Sequence, residues 1–600
     1  MRIRSTVAWV VAAGLLLTGC TASTAESGLD KGTTLTVAVD EAFDSSNPAT
    51  TYGNSTANLG VGSLTNDWFF SVDDTPAVVR DESFGHYERV STDPLTVKYT
   101  VNSGVKWSDG TAVDAADLLL NWVANSRARD TPGYVPGALA DAQTHEIKGD
   151  LPADTVYFDS GAQPDSGLGL VHDLPTVSDD NRSITMVYSA PYADWELVFP
   201  AALPAHVVGQ KALGLTDSAE SKKAVSSAIT SGDTGPLSRV ASVWNSGFNF
   251  TEMPADTELM LSTGPYTISG IEAGESVTLT ANPEYTGARK PSIETVVLRR
   301  IGDPLAAVQA LGTGEVDVLS TPATAAVADS LEALENVTSL SGSGGTYEHI
   351  DVQAAQSKSG VFDDLRVRQA FLRVVPRQQM VDELVTPVAG DPAVPRDSQV
   401  LVPGTPGYAE SVKQNGSRAY ADVDVPGARA LLAAAGVSAP EVCVLYESSN
   451  PRRVQEFTLI AASAAQAGFV VTDCGDPDWR ELLGAANHYD AALFGWSTPS
   501  LAVSATSDTF RTGGSNNFSY FSNPEVDAVT AALGVELDPA TQIDLQQRLD
   551  TLLWDNAYGL PLFDLPIVTA HSDRVTGVAP SILAPQLLWN LPDWTVDDSR

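Results

Sequence analysis

The chain is short of cations, of thiols and of long apolar runs. Lysine and arginine together number 35 against 75 aspartates and glutamates in 600 residues, a formal charge of −40 at neutral pH. A surface this negative repels phosphate backbones and gives no polybasic attraction to anionic lipid, which argues against nucleic-acid binding and against charge-based membrane association. The acidity otherwise reads as a solvated surface that favours solubility. Only seven histidines occur, His86, His145, His172, His206, His349, His488 and His571, and no two stand at i,i+3 or i,i+4 to clasp zinc from one helix face. Asp422 to Gly427 imitates the start of a calcium loop, but Pro426 holds the fifth position and Ala433 stands where a bidentate glutamate is needed. Phosphate-cradling GxxxxGK and GxGxxG patterns are missing, and so is a GxSxG nucleophile elbow. Ser103 and Lys106 fit SxxK, yet they fall on an expected hairpin and no KTG follows. No enzyme, metal or cofactor is therefore expected. What is present is an ordinary globular balance, 43% apolar and 18% charged. At this length it should divide into two to four domains.

Only three cysteines occur. Met1 to Arg4 is basic, Val7 to Leu17 is apolar, and Leu17-Thr-Gly-Cys20 follows. The apolar run is too short to span a bilayer and reads as a signal peptide over 1–19. Its end resembles the bacterial lipobox, in which the cysteine is acylated and becomes the mature N-terminus. That makes Cys20 the lipidation site, with 20–33 a flexible tether. No later stretch has 18 apolar residues, so the lipid is the only expected membrane anchor. Export means an oxidising compartment, and Cys443 and Cys474 are a candidate disulfide. They fall in expected parallel strands, Glu441–Tyr446 and Phe469–Cys474. A stagger of about three residues, roughly 10 Å, would hold them beyond bridging distance, so the bridge stays open.

Alternating β-branched runs predict strands at 34–39, 94–101, 183–188, 264–269, 276–281 and 293–301. Asp114 should cap a helix whose apolar stripe is Leu118, Leu119, Trp122 and Val123. Helices are expected at 195–202 and 205–213, and helical fragments within 214–258. From about 303 the texture becomes helix–strand alternation: helix 304–311, strand 316–319, helix 323–333, strand 347–352 and helix 365–373. A βαβ unit at 441–474, a strand at 489–494, a helix at 538–556 and an extended segment at 560–565 complete it. Two α/β lobes around a crevice would hold a ligand where connections cross between them.

Several stretches then resemble, in order, the family 5 extracellular solute-binding proteins, the oligopeptide, dipeptide and nickel-type receptors of ABC importers. They are Val105-Lys-Trp-Ser-Asp-Gly-Thr111 with Val113–Asp117, Leu203-Pro-Ala-His-Val207, Ser262-Thr-Gly-Pro-Tyr266, Asn282-Pro-Glu-Tyr285 with Lys290-Pro291, Ala310–Asp317, Phe362–Ala370, Tyr489–Trp496 and Asn523–Asp527. The resemblance implies an α/β fold, type II periplasmic-binding-protein-like, with a two-lobed hinged cleft and an additional α+β domain inserted in the first lobe. On that pattern lobe I is 34–57, 190–290 and 560–600, the inserted domain is 58–189, and lobe II is 291–559. It also implies export to the outer face of the cytoplasmic membrane, a peptide-like or other small polar solute, ABC permease and ATPase partners, and a monomer.

This sequence departs from the family in two places. Pro376 should stop the helix after Val367-Arg-Gln-Ala370 early. The acid that peptide receptors carry soon after Gly-Trp is absent from Ser497 to Leu501, so a free peptide N-terminus should not be selected there. Ligand-binding candidates at matching positions are Tyr52, Asn54, Tyr266, Tyr347, Trp496, Asn516 and Asn517. Aromatic rings suit such clefts because they bury area without demanding one side-chain identity. A non-transport scaffold or regulatory lipoprotein on the same fold is the alternative.

Overall fold

The computed structural model describes residues 28–160, 166–199, 201, 203–389, 393–497, 501–583 and 586–597. The signal peptide, Cys20 and the centre of the 497–501 loop lie outside them. Ten strands form one mixed sheet: β1 (Asp30–Val39), β2 (Tyr266–Glu272), β3 (Ser276–Ala281), β4 (Ile293–Arg300), β5 (Val318–Pro322), β6 (Val337–Val352), β7 (Glu441–Leu445), β8 (Val470–Asp473), β9 (Ala491–Ser497) and β10 (Gly559–Ser572). Their order across the sheet is β8-β7-β9-β6-β10-β5-β1-β4-β3-β2. β1 lies parallel to both β4 and β5 and is covered on both faces: Leu35 and Val37 enter one core and Ala38 another. It begins at Asp30, inside the expected tether, because the Asp30 N–H bonds the Ser292 carbonyl at 2.8 Å.

A separate sheet of four antiparallel strands (85–92, 95–101, 183–187 and 176–177) packs on the helix Ala115–Ser126. Asp114 caps that helix in a reciprocal box with Asp117, as its sequence predicts. The helices Ala205–Leu213, Ser218–Ser231 and Thr234–Ser246 bury Val207, Val225, Ile229, Leu237 and Trp244 in this same core. Residues 203–248 thus share one core with this sheet and its helix. Lys222 fixes the union: its ammonium lies 2.7 Å from Asp117, whose other oxygen accepts the Ala205 N–H at 2.9 Å.

Across the change of texture near 300, β4, the helix Pro304–Thr313 and β5 all pack with β1. β6 and β10 form a long ladder, whose register breaks between Ser343 and Tyr347. There Gly345 has φ +73°, and a Cβ would stand 2.2 Å from the Ile582 carbonyl oxygen.

Other expectations divide. The helix Leu365–Leu372 stops before Pro376 as predicted. The segment 195–202 is not helical where described: Asp194 and Leu197 close a turn there. Cys443 and Cys474 are bridged, with Cα atoms 5.6 Å apart. The parallel register sets Cys443 beside Thr472, so the stagger is two residues rather than three, and the Cys474 N–H still bonds the Val444 carbonyl. Among the described residues no helix is long and apolar enough to cross a membrane.

Candidate functional site

Three of the seven candidates come together. β6 alternates so that Tyr347, His349 and Asp351 share one face, while Glu348, Ile350 and Val352 share the other. On β9, Trp496 and Phe494 stand directly opposite Tyr347 and His349. The ring centroids of His349 and Phe494 are 4.1 Å apart, and Trp496 meets Phe518 edge-on at 6.4 Å. Asn516 and Gln399 complete a pocket with Tyr558 and Phe510. Its free volume is only ≈ 10 Å³, room for about one water.

Polar groups are held inside this aromatic frame. Asp351 lies 3.6 Å from the His349 imidazole, whose Nδ1 is buried without a hydrogen-bond partner among the described residues. Burial raises the Tyr347 hydroxyl pKa, against the opposing pull of Arg396. The Arg396 guanidinium sits 4.1 Å over the Tyr347 ring and pairs with Asp564 at 2.9 Å. Behind β6, Glu348 is fully buried between Arg453 at 2.8 Å and Arg452 at 3.0 Å, which seats the helix Pro451–Ala467 on the strand. Glu456 on that helix has its pKa raised to about 8, first by burial and then by the Glu348 charge.

The other four candidates stand elsewhere. Tyr266 is fully buried and donates its hydroxyl to the Ile293 carbonyl, so it is a core residue. Asn517 spends its amide on the Arg511 and Phe521 backbones, which locks a turn. Tyr52 and Asn54 lie on the loop after β1 and line neither this pocket nor the larger cavity described next. Asn54 is exposed, and the Tyr52 hydroxyl is raised to about 12 by burial and then by Asp44.

A larger cavity of about 260 Å³ opens on the other half of the sheet. The ends of β1, β4 and β5, the β2–β3 turn, the helix Thr56–Thr65 and residues 586–588 enclose it. β10 serves both concavities: Leu560 and Pro561 line the small pocket, and Ile567 lines the large one. The two therefore share β10, on either side of the break in its ladder at Gly344 and Gly345.

Arg89 and residues 192–194 also bond to residues 503–537. Asp194 accepts the N–H groups of Val503 at 2.8 Å and Ser504 at 2.9 Å, and the Tyr192 hydroxyl meets Ser504 Oγ at 3.0 Å. The Ala193 N–H bonds the Gly534 carbonyl, and Arg89 bonds that of Leu537.

Sequence reasoning missed His349, Asp351, Gln399 and Arg396. The first two carried a signal, because they follow Tyr347 at the two-residue spacing of a strand face. Gln399 and Arg396 come from an irregular segment that no periodicity marks. No group of three or more metal-ligating side chains is assembled among the described residues.

The family model for bacterial extracellular solute-binding proteins, family 5 (middle), matches residues 64–518. An uncharacterized lipoprotein of Mycobacterium tuberculosis is 23% identical over 97% of this chain and 96% of its own. The oligopeptide-binding protein OppA of the same species is 22% identical over 82% of this chain and 73% of its own. Among solved structures, a periplasmic EDTA-binding protein, EppA, superposes with a TM-score of 0.74 at 19% identity, covering 98% of this chain and all of that one. That last likeness concerns the fold.

Proposed function

The chain belongs to the bacterial extracellular solute-binding proteins of family 5, and from that premise we propose that it is the lipid-anchored, extracytoplasmic receptor of an ABC importer. It takes a small solute between its lobes and delivers it to membrane permeases that are driven by ATPase subunits. The observation that carries this reading is the placement of two concavities along one strand, β10, either side of a glycine break in its ladder with β6. A rotation at that break would change the distance between them, which is what a hinged cleft requires. In this reading one lobe is the β1–β5 half of the sheet with residues 575–597, the inserted body is 68–248, and the other lobe is 347–563. The name of OppA, an oligopeptide binder, supports a peptide-like or other small polar solute.

A ligand that binds only the closed form adds RT ln(1 + [L]/Kd), about 2.7 kcal/mol at a hundredfold excess over Kd. A thermal-shift screen over di- to octapeptides, sugars, organic amines and metal chelates, on protein freed of co-purified solute, should therefore give at least one clear upward shift. No shift with any member would move the account to an envelope scaffold. Anchoring at Cys20 is checked by Cys20→Ser, which should release the protein from membranes or block its processing. An unchanged membrane fraction with unaltered mature mass would refute the anchor.

A further inference from the structure

The large cavity has a floor and a rim of opposite character. Ala38, Phe43, Val61, Val277, Leu298 and Leu588 line it, each no more than 6% exposed. An apolar cavity of about 150 Å³ is enough to take a benzene ring, so ≈ 260 Å³ accommodates a phenylalkyl or comparable body. The rim is charged. Asp40 and Glu41 follow β1, Glu272 and Glu275 flank the β2–β3 turn, and Arg300 ends β4; all five are exposed. None of the five has an ion-pair partner within 4.0 Å among the described residues.

We infer that this cavity binds an amphipathic cation, an apolar body carrying an ammonium or guanidinium group. The inference rests on the receptor reading, in which this cavity is the wall that the β1–β5 lobe gives to the cleft, and names the solute class that wall would take. Each alternative class lacks half of the match. An anion would meet four carboxylates against one guanidinium. A neutral polar solute would cover the apolar floor with groups that need hydrogen bonds there. A neutral apolar solute would fill the floor but gain nothing from the rim. An amphipathic cation buries its body and leaves its charge at the mouth, where the carboxylates lie and water still reaches. It therefore escapes the desolvation that a fully buried charge would suffer. The chain's net charge of −40 raises the local concentration of such a solute before contact.

The test is calorimetric titration of the full chain with three probes that share one body: 4-phenylbutylammonium, 4-phenylbutanol and 4-phenylbutyrate. The ammonium should bind at least tenfold tighter than the alcohol, about 1.4 kcal/mol, and the butyrate should bind weakest. Added salt should weaken the ammonium selectively. In a Glu41→Gln, Glu275→Gln variant the ammonium-to-alcohol ratio should fall to within threefold, with circular dichroism confirming the fold. Equal or tighter binding of the alcohol or butyrate would overturn the inference. So would a ratio indifferent to the two substitutions, or no binding of any probe at millimolar concentration. Mass spectrometry of solute released from the purified protein separates the two levels. A neutral or anionic solute there would overturn the cation class while the receptor reading stood. A chain that neither carries nor binds any solute would sink both.

Discussion

Asp194 offers the sharpest single perturbation of how the inserted body meets the far lobe. It is 5% exposed, and its two oxygens each take one backbone N–H, from Val503 and Ser504. Hydrogen bonds to a charged acceptor contribute about 1.5–3 kcal/mol each. Residues 501–504 are half-buried, so water can reach the amides once the carboxylate is gone. The lower end of that range therefore applies, and Asp194→Ala should weaken the contact by about 3 kcal/mol, roughly a 150-fold shift in its opening equilibrium. Asp194→Asn keeps one carbonyl acceptor and should lose about half as much. Hydrogen exchange resolved to the peptide holding 503–504 reads this directly, because an amide exchanges when its contact opens. Protection in the alanine variant should fall by the stated factor, while the core of the inserted body stays protected. Protection within threefold of the unsubstituted chain would refute the assignment of these two bonds as what ties the loop to the inserted body.

Lys222→Met should cost about 3–5 kcal/mol, since it strands the fully buried Asp117 carboxylate without its cation. Urea unfolding followed by tryptophan fluorescence tests this, and Asp117→Asn added to Lys222→Met should recover part of the loss. Asp67 has its pKa raised from 3.8 to about 7, chiefly by burial and against the pull of Arg289. The folded chain therefore holds a proton that the unfolded chain releases near pH 4, and this group's contribution declines as pH rises from about 4 to 7, by up to about 4 kcal/mol. The melting temperature of Asp67→Asn should fall less between pH 5 and 8 than that of the unsubstituted chain, and equal slopes would refute the assignment. Closing a loop of 31 residues, the Cys443–Cys474 bridge should stabilise its unit by about 3–4 kcal/mol, measured as the loss in Cys443→Ser, Cys474→Ser under non-reducing conditions.

Much of the framework was legible in the sequence because local signals and tertiary packing agree there. The helix Ala205–Leu213 and the helix Pro451–Ala467 of the βαβ unit carry a stop glycine or proline start at each boundary, and they fold where those signals place them. Which core an element joins was not legible, because it depends on which apolar face meets which. Val225 and Trp244 would serve either core equally well by pattern, and the Lys222–Asp117 pair fixes the one they join. In the site, Tyr347 and Trp496 could be found because each stands on a strand. Tyr266 looked the same by that criterion, but it sits on a strand face turned to the core. The large cavity left no motif at all. Its walls come from strand ends and turns separated by hundreds of residues.

The central claim, that this chain holds a small solute between two lobes hinged on β6 and β10, is tested most directly by small-angle X-ray scattering. The profile would be recorded on solute-free protein and again after adding back the molecule that native purification releases. A receptor of this kind should compact on addition, with a smaller radius of gyration and a saturable dependence on solute that matches its calorimetric affinity. Bound solute with an unchanged scattering profile, in the unsubstituted chain and in Gly345→Ala alike, would contradict the hinge and the account built on it.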